Sequence, residues 1–244
     1  MGSLLFPHPT RITFVVDMTQ PKVLFEDNHL LIVDKPSGWL VQGDETGDRT
    51  LTDWARDYIK KKYNKPGDVF LHPTHRLDRP VSGAIVFAWT SKALERMNEL
   101  FREDKVEKTY LALVSQRLEI TGEILIHWLE KDDKKNVTHV YNKAKGKAKK
   151  AELTYELIAS FNKLSLLKVM PKTGRPHQIR AQLAKIGCPI QGDIKYGFTQ
   201  ANKDKSISLH SFEIKFIHPV KKEPIVVRSV PDWPDFKPHM NELG

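Results

Sequence analysis

Residues 75–83 read His75-Arg76-Leu77-Asp78-Arg79-Pro80-Val81-Ser82-Gly83, and the apolar segment Ala84–Trp89 follows them directly. The stretch places a carboxylate, Asp78, among two arginines, a histidine and turn-forming residues. Opposite charges within reach favour the ionised form of an aspartate. An ionised aspartate beside the end of a strand can act as a nucleophile, as a general base or as a structural ion-pair partner. These residues alone favour the structural role.

A second stretch with similar residue types is Thr173-Gly174-Arg175-Pro176-His177-Gln178-Ile179-Arg180. Its glycine permits a tight turn and its proline suits the first turn of a helix, so a helix is predicted from near Pro176 to Gly187. Arg175 and His177 would then lie at the N-terminus, where free amide groups and the helix dipole favour anions such as phosphate. The last arginine, about one turn further on, could point towards a buried carboxylate. An ordinary basic helix start explains these residues equally well.

The rest of the chain mixes strands with helices. Val23–Val41 is predicted to form two strands, and Leu51–Tyr63 is predicted to form a helix with a capping box at Thr50 and Asp53. Further predicted elements are a β-prone stretch at Ile12–Val16, a strand at Ala84–Trp89, an amphipathic helix around Leu94–Phe101, alternating strands and turns from Thr109 to Met170, and closing strands at 207–217 and 224–230. Strands with interspersed helices and no regular βαβ alternation indicate an α+β fold.

Composition excludes several classes of protein. The chain has 244 residues and one cysteine, Cys188, so it can form neither an internal disulfide nor a zinc site built from several cysteines. No apolar run is long enough to cross a bilayer, and the first residues do not read as a signal peptide. We therefore expect a soluble protein of a reducing compartment with no membrane partner.

The net charge of +9 is concentrated in one segment. Residues 131–150 contain eight lysines and two aspartates, which is two-thirds of the excess. A basic balance favours a polyanionic partner without naming it. We interpret this Lys-rich segment as an exposed hairpin or loop, which could either bind a polyanionic partner or be merely solvated.

Metal, nucleotide and nucleophile signatures are weak. No phosphate-binding loop, dinucleotide fingerprint or serine-hydrolase elbow is present. Cys188 has no neighbouring base and is interpreted as a small buried residue. His72, His75 and Asp78 have a helical metal-ligand spacing, but Pro73 and Pro80 argue against a regular helix, and we expect no metal site.

Taken together, the motifs resemble those of the RluA-type pseudouridine synthases. The resemblance runs from about Val23 to Ser229 in five ordered segments: EDNHLLIVDKPSGWLV, HRLD with the following SG, EKTYLALV, TGRPHQIRAQLAKIGCPIQGDIKYG and LHSFEIKFIHP. One departure is Val81, where the family more often has Thr. The resemblance implies a mixed, largely antiparallel central sheet with flanking helices and a cleft that holds Asp78.

The resemblance also implies the reaction and its catalytic residues. Members of the family convert uridine in RNA to pseudouridine without a cofactor or metal. By analogy, Asp78 is the catalytic carboxylate, Arg180 pairs with it, and Tyr110 stacks on the uracil and assists a late proton transfer. The sequence leaves three mechanisms open: attack of the carboxylate on the sugar, attack on the base, or a glycal intermediate.

RNA contacts are implied as well. The target uridine must leave its stack to reach the carboxylate. Arg76 resembles the family arginine that fills the vacated space, and Arg175 and His177 are candidate phosphate contacts. The Lys-rich segment adds Lys145, Lys147 and Lys149 as candidate RNA-binding residues.

The expected organisation is a short N-terminal extension, residues 1–20, and one catalytic domain, residues 21–244, with no separate accessory RNA-binding domain. We expect a cytoplasmic monomer with RNA (tRNA, rRNA or both) as partner and no obligatory protein partner. Two alternatives are a catalytically silent RNA-binding module on the same scaffold and a metal-dependent nuclease built on His72, His75 and Asp78.

Overall fold

The computed structural model describes residues 20–115, 121–161 and 163–233. The elements in chain order are β1 (Lys22–Glu26), β2 (Leu30–Lys35), α1 (Leu51–Lys62), β3 (His72–Pro73), β4 (Ser82–Ala88), α2 (Ser91–Arg102), β5 (Glu107–Val114), β6 (Gly122–Asp132), β7 (Val137–Tyr141), β8 (Lys149–Phe161), β9 (Leu164–Pro171), α3 (Gln178–Lys185), a short 3₁₀ helix (Ile194–Tyr196), β10 (Leu209–Ile217) and β11 (Pro224–Arg228). The predicted stretch Ile12–Val16 and the chain beyond Trp233 lie outside the described residues.

One sheet contains all these strands, in the order β1-β2-β4-β10-β5-β9-β8-β6-β7, with β11 paired to β10 and β3 paired to β4. Among the described strand pairs, β4 with β10 is parallel and the others are antiparallel. The predicted α+β fold with a mixed, largely antiparallel central sheet is therefore confirmed. The parallel pair directly follows the loop that carries Asp78, so it places that loop beside the middle of the sheet.

Helices cover both faces of the sheet. Alternate residues of a strand point to opposite faces, so Leu31 and Val33 of β2 pack in one core with α1 and α3, whereas Leu30 and Ile32 pack in a second core with α2. The face with α1 and α3 also contains Asp78's neighbour Leu77 and the cavity described below. The site thus lies on the sheet face that two helices flank.

Local sequence explains where α1 begins. The Thr50 hydroxyl accepts a hydrogen bond from the Asp53 backbone N–H at 3.1 Å, and the Asp53 carboxylate accepts one from the Thr50 N–H at 3.0 Å. This reciprocal pair is the predicted capping box, which satisfies two amide groups that a helix start leaves without partners. Leu51, Ala55 and Ile59 then bury one face of the helix.

Helix α3 begins two residues later than predicted. His177 has φ +50°, a left-handed conformation that cannot continue into a helix, so the first helical residue is Gln178 rather than Pro176. The C-terminal end of α3 agrees with the prediction. Gly187 has φ +80°, its N–H bonds the Ala184 carbonyl, and the Cys188 N–H bonds the Leu183 carbonyl, which together form a glycine-capped C-terminus.

The Lys-rich segment forms the end of the β6–β7 hairpin, strand β7 and the connection to β8, as expected for an exposed hairpin or loop. Its lysines at 143, 145, 147, 149 and 150 are all exposed. Among the helices within the described ranges, none combines the length and the apolar character needed to cross a lipid bilayer.

Candidate active site

An open cavity lies between the β3–β4 loop, strand β5, the start of α3 and the start of β10. Six residues singled out from the sequence all line it: Arg76, Asp78, Tyr110, Arg175, His177 and Arg180. They come from three segments that are far apart in the chain. The tertiary structure therefore brings the predicted site residues together in one place.

The loop that carries Asp78 is fixed by hydrogen bonds and an ion pair of its neighbouring residues. The Val81 N–H bonds the Asp78 carbonyl at 3.0 Å and closes a turn immediately before β4. Arg79 bonds the Gly38 carbonyl through Nε and forms an ion pair with Asp48 at 2.8 Å, so its charge faces away from the cavity. The charge that pairs with Asp78 is therefore not that of its sequence neighbour Arg79.

A buried lysine also supports the loop. Lys35 is fully buried, and its Nζ donates to the carbonyls of Pro36, Trp39 and Arg79 at 2.8–3.2 Å. Burial lowers the pKa of Lys35 to about 7, and the nearby Asp78 charge offsets part of that shift. Lys35 thus ties the turn that follows β2 to the backbone next to the carboxylate.

Arg180 bridges the carboxylates of Asp78 and Asp193. Its Nη1 donates to Asp78 at 2.8 Å, while its Nε and Nη2 donate to the two oxygens of Asp193 at 2.7 and 2.9 Å. The Asp193 side chain is 2% exposed and that of Asp78 is 30% exposed. Burial lowers the pKa of Arg180, but its bonds to Asp193 and Asp78 outweigh burial and raise it. A fixed guanidinium therefore aims Asp78 into the cavity.

Asp193 is the group that fixes Arg180, so we expect Asp193→Asn to lower the free energy of unfolding by about 3 kcal/mol, because a buried guanidinium would lose the more deeply buried of its two charged partners. Urea denaturation measures this difference. The control is Asp57→Asn, which removes an exposed ion pair with Arg49 and is expected to cost less than about 1 kcal/mol. Equal losses in the two variants would contradict the role given to Asp193.

His177 lies at the N-terminus of α3 and lines the cavity beside Asp78. Its side chain is 10% exposed, with Nδ1 at 2.8 Å from the Tyr196 hydroxyl and Nε2 at 3.8 Å from the Asp78 carboxylate. Burial lowers the pKa of His177, and the Asp78 charge offsets part of this effect. The imidazole therefore faces the carboxylate inside the cavity. Its contact with a phosphate of the flipped nucleotide stays a prediction.

Tyr196 connects the cavity to the Lys-rich segment. The Arg180 guanidinium carbon lies over the Tyr196 ring, 5.1 Å from the ring centre. The Tyr196 hydroxyl accepts a hydrogen bond from the Thr138 N–H at 2.8 Å. The Thr138 hydroxyl also donates to the Pro176 carbonyl at 2.9 Å. Strand β7 of the Lys-rich segment thus touches the groups that surround Arg180, which was not evident from the sequence.

Tyr110 lies on β5 with its side chain buried at the cavity wall. Burial raises the pKa of Tyr110 to about 12, so its phenol is protonated at neutral pH. The ring can offer a flat surface to a base, and the phenol can donate or accept one hydrogen bond. Both properties fit a group that packs against a bound uracil.

The remaining candidates lie at the rim of the cavity or outside it. Arg76 is exposed, and Arg175 is half-buried with its Nε bonded to the Lys150 carbonyl at 3.1 Å. Lys145, Lys147 and Lys149 are exposed between β7 and the first residue of β8 and do not line the cavity. The rim is therefore basic on the side that faces the Lys-rich segment.

His75 and His72, the two histidines considered as metal ligands, make contacts with residues other than Asp78. The His75 ring accepts a hydrogen bond from the Val86 N–H at 3.1 Å and packs on Phe101, and burial lowers the pKa of His75 to about 3. His72 packs against Phe70. Within the part of the chain that the structure describes, no cluster of His, Cys, Asp or Glu could hold a metal ion. Cys188 is buried, as its sequence context indicates.

Sequence reasoning missed several residues of the site. Asp193, Tyr196, Lys35 and Lys108 contact or line it, although none was singled out. The signal for Asp193 was its place in the loop after α3, within the fourth motif. Nothing local marks Lys35, because a lysine at the end of a strand is ordinarily exposed.

Comparison with solved structures identifies the class that this fold defines. The fold matches human RNA pseudouridylate synthase domain containing 4, with a TM-score of 0.72 and 23% identity over 91% of this chain and 92% of that chain. It also matches human RNA pseudouridylate synthase domain containing 1, with a TM-score of 0.68 and 22% identity over 88% of this chain and 85% of that chain. The fold is that of the pseudouridine synthases.

Sequence comparison gives the family. The family model described as RNA pseudouridylate synthase matches residues 29–185. The ribosomal large subunit pseudouridine synthase C of Buchnera aphidicola subsp. Acyrthosiphon pisum is 33% identical over 91% of this chain and 70% of its own length, and the tRNA pseudouridine synthase C of Vibrio cholerae is 27% identical over 85% and 90%. This chain belongs to the RNA pseudouridylate synthase family and is an enzyme that isomerises uridine in RNA to pseudouridine.

Proposed function

We propose that Asp78 is the catalytic carboxylate of this isomerisation, with Arg180 as its partner and Tyr110 as the ring that packs on the uracil. The observation that carries the proposal is the pair of Arg180 with Asp78, held at 2.8 Å in an open cavity by the buried Asp193. An aspartate held only for structure would gain nothing from being exposed to a cavity. A fixed and partly exposed carboxylate instead suits attack on a bound nucleotide.

The chemistry needs little more than such a carboxylate. The bond from N1 of uracil to the ribose breaks, the base turns, and a bond from C5 to the ribose forms. C5 then loses its proton while N1 carries one, so the product is an isomer of the substrate. The reaction therefore involves no net redox change, needs no energy source and consumes no water. The groups that line the cavity include the Asp78 carboxylate, the Arg180 guanidinium, the His177 imidazole and the Tyr110 phenol.

Access to Asp78 requires a flipped nucleotide. The carboxylate is recessed in the cavity, and a stacked uridine cannot reach it, so the base must be extruded at a cost of a few kcal/mol. Arg76 is exposed at the rim, next but one to Asp78, where its guanidinium can stack in the space that the base vacates. Arg175, also at the rim, is placed to meet a phosphate of the flipped nucleotide.

The proposed RNA is tRNA or large-subunit ribosomal RNA, since the relatives named above divide between these two substrates. The test is release of tritium from RNA labelled at C5 of uracil, with purified tRNA and ribosomal RNA as separate substrates. Release from one fraction assigns the substrate, and mapping of pseudouridines in that RNA then gives the position. Absence of release from both fractions, with a folded protein, would favour the silent RNA-binding module.

We expect the Lys-rich segment to hold the RNA near the cavity. Replacement of Lys145, Lys147, Lys149 and Lys150 by Ala should weaken RNA binding and make its salt dependence shallower, since each lost phosphate contact removes about 0.7–0.9 from the slope of log K against log salt. Filter binding at several salt concentrations measures the slope.

The matched control is the fourfold Ala variant of Lys60, Lys61, Lys92 and Lys203, which are exposed and do not line the cavity. Both variants lose the same total charge. An unchanged slope in the Lys-rich variant, or an equal change in the control, would show that the segment is only solvated.

The organisation proposed for the chain is one catalytic domain over residues 21–244 with a short extension at residues 1–20. The strands of one sheet span most of the described part of this range, which supports a single domain. We further propose a monomer without an obligatory protein partner, because the three residues proposed for the reaction, Asp78, Arg180 and Tyr110, already lie together in the cavity of a single chain. The bacterial relatives named for tRNA and ribosomal RNA support a cytoplasmic location.

A further inference from the structure

Ser211 lies between the two strands that carry the proposed catalytic groups. On β10 it pairs with Gly83 of β4, which follows the Asp78 loop, and with Tyr110 of β5. Gly83 has φ +111°, and a Cβ placed on it would lie 2.5 Å from the Ser211 backbone nitrogen. Strands β4 and β10 therefore approach each other closely at the backbone of Ser211.

The side chain of Ser211 points to the cavity side of the sheet. Leu209, two residues earlier on the same strand, lines the cavity, and residues i and i+2 of a strand share a face. His210, between them, points to the opposite face, where its ring bonds Ser82 and Ser229. The Ser211 hydroxyl is thus placed on the same face as the Tyr110 phenol, on the neighbouring strand.

Among the described residues, the buried Ser211 hydroxyl lacks a hydrogen-bond partner. Ser211 is 0% exposed. Ser211 and Tyr110 are directly opposite each other in the register of β10 and β5, which places their side chains next to each other. Burial raises the pKa of the Tyr110 phenol, and the Ser211 hydroxyl lowers it in part. A buried hydroxyl without a partner costs stability, which calls for a compensating role.

We propose that Ser211 is a positioning residue for the isomerisation, whose hydroxyl donates a hydrogen bond to the Tyr110 phenol when a uracil packs on that ring. With its oxygen held by Ser211, the phenol directs its own proton into the cavity, towards the base and Asp78. This inference rests on the proposed role of Tyr110. It explains why the strand next to Tyr110 carries a polar side chain at a fully buried position.

A double-mutant cycle under single-turnover conditions, with tritium release as the signal, tests the inference. Ser211→Ala should slow the reaction about tenfold with an unchanged dissociation constant for RNA, because Ser211 acts on Tyr110 and not on binding. In a Tyr110→Phe background, where the phenol is absent, Ser211→Ala should change the rate by less than about twofold. Ser211→Thr, which keeps a hydroxyl, should recover most of the rate.

The control is Ser208→Ala, which removes another buried hydroxyl, one bonded to Gln191 at 3.0 Å, and should leave the rate unchanged. A wild-type rate for Ser211→Ala, or equal slowing by it in both backgrounds, would overturn the positioning role. Full activity of Tyr110→Phe would instead refute the proposed use of the phenol. The two failures are therefore distinguishable.

Discussion

Asp78→Asn should reduce tritium release from RNA by about 10³-fold or more, because the amide can neither attack nor accept a proton in the way the carboxylate can. The fold should persist. Arg180 keeps both bonds to Asp193, and Asp78 is partly exposed, so we expect the free energy of unfolding to change by no more than about 1 kcal/mol. Single-turnover assays together with urea denaturation measure both quantities.

The control for this variant is Asp48→Asn, which removes the exposed carboxylate that pairs with Arg79 on the same loop. Its rate should stay within about twofold of the wild type, because surface ion pairs contribute little. RNA binding should be similar in both variants. Substantial residual activity of Asp78→Asn would exclude Asp78 as the catalytic carboxylate, and unfolding of that variant would indicate a structural role instead.

Gly83→Ala should lower the free energy of unfolding by about 3–5 kcal/mol, which is the largest stability effect that we expect from a single substitution. Two causes add. The added Cβ would lie 2.5 Å from the Ser211 nitrogen and 2.8 Å from its carbonyl carbon, and both are backbone atoms that cannot rotate away. The φ of +111° is also strained for any residue with a Cβ. Urea or thermal denaturation measures the loss.

Alanine substitutions at two other glycines separate the backbone strain from the steric contact. Gly47 has φ +71°, and no neighbouring atom lies within 4 Å of the position that a Cβ would take, so Gly47→Ala isolates the conformational strain, which we expect to cost about 1–2 kcal/mol. Gly67 has open space and an ordinary φ, and Gly67→Ala should change stability by less than about 0.5 kcal/mol. If Gly83→Ala cost no more than Gly47→Ala, the close contact between β4 and β10 would be refuted.

Prediction from sequence succeeded where the signal is local. The capping box of Thr50 and Asp53 and the glycine at position 187 each act within a few residues, and the structure confirms both. The start of α3 lies two residues after the predicted start near Pro176, because the left-handed backbone of His177 delays the helix. The His177 ring meets Tyr196 and Asp78, which are distant in the chain, and the local sequence does not indicate these contacts.

The order of the motifs was enough to indicate the fold class, the family and Asp78 as the candidate carboxylate. The arrangement around Asp78 was decided by tertiary contacts. Arg79, its neighbour in sequence, faces Asp48, while Arg180, which is 102 residues away in the chain, is its ion-pair partner. Charge alone cannot choose between two arginines, since both have the same sign. Tertiary packing decides the pairing, because α3 and the loop of Asp193 hold the Arg180 guanidinium against the Asp78 carboxylate.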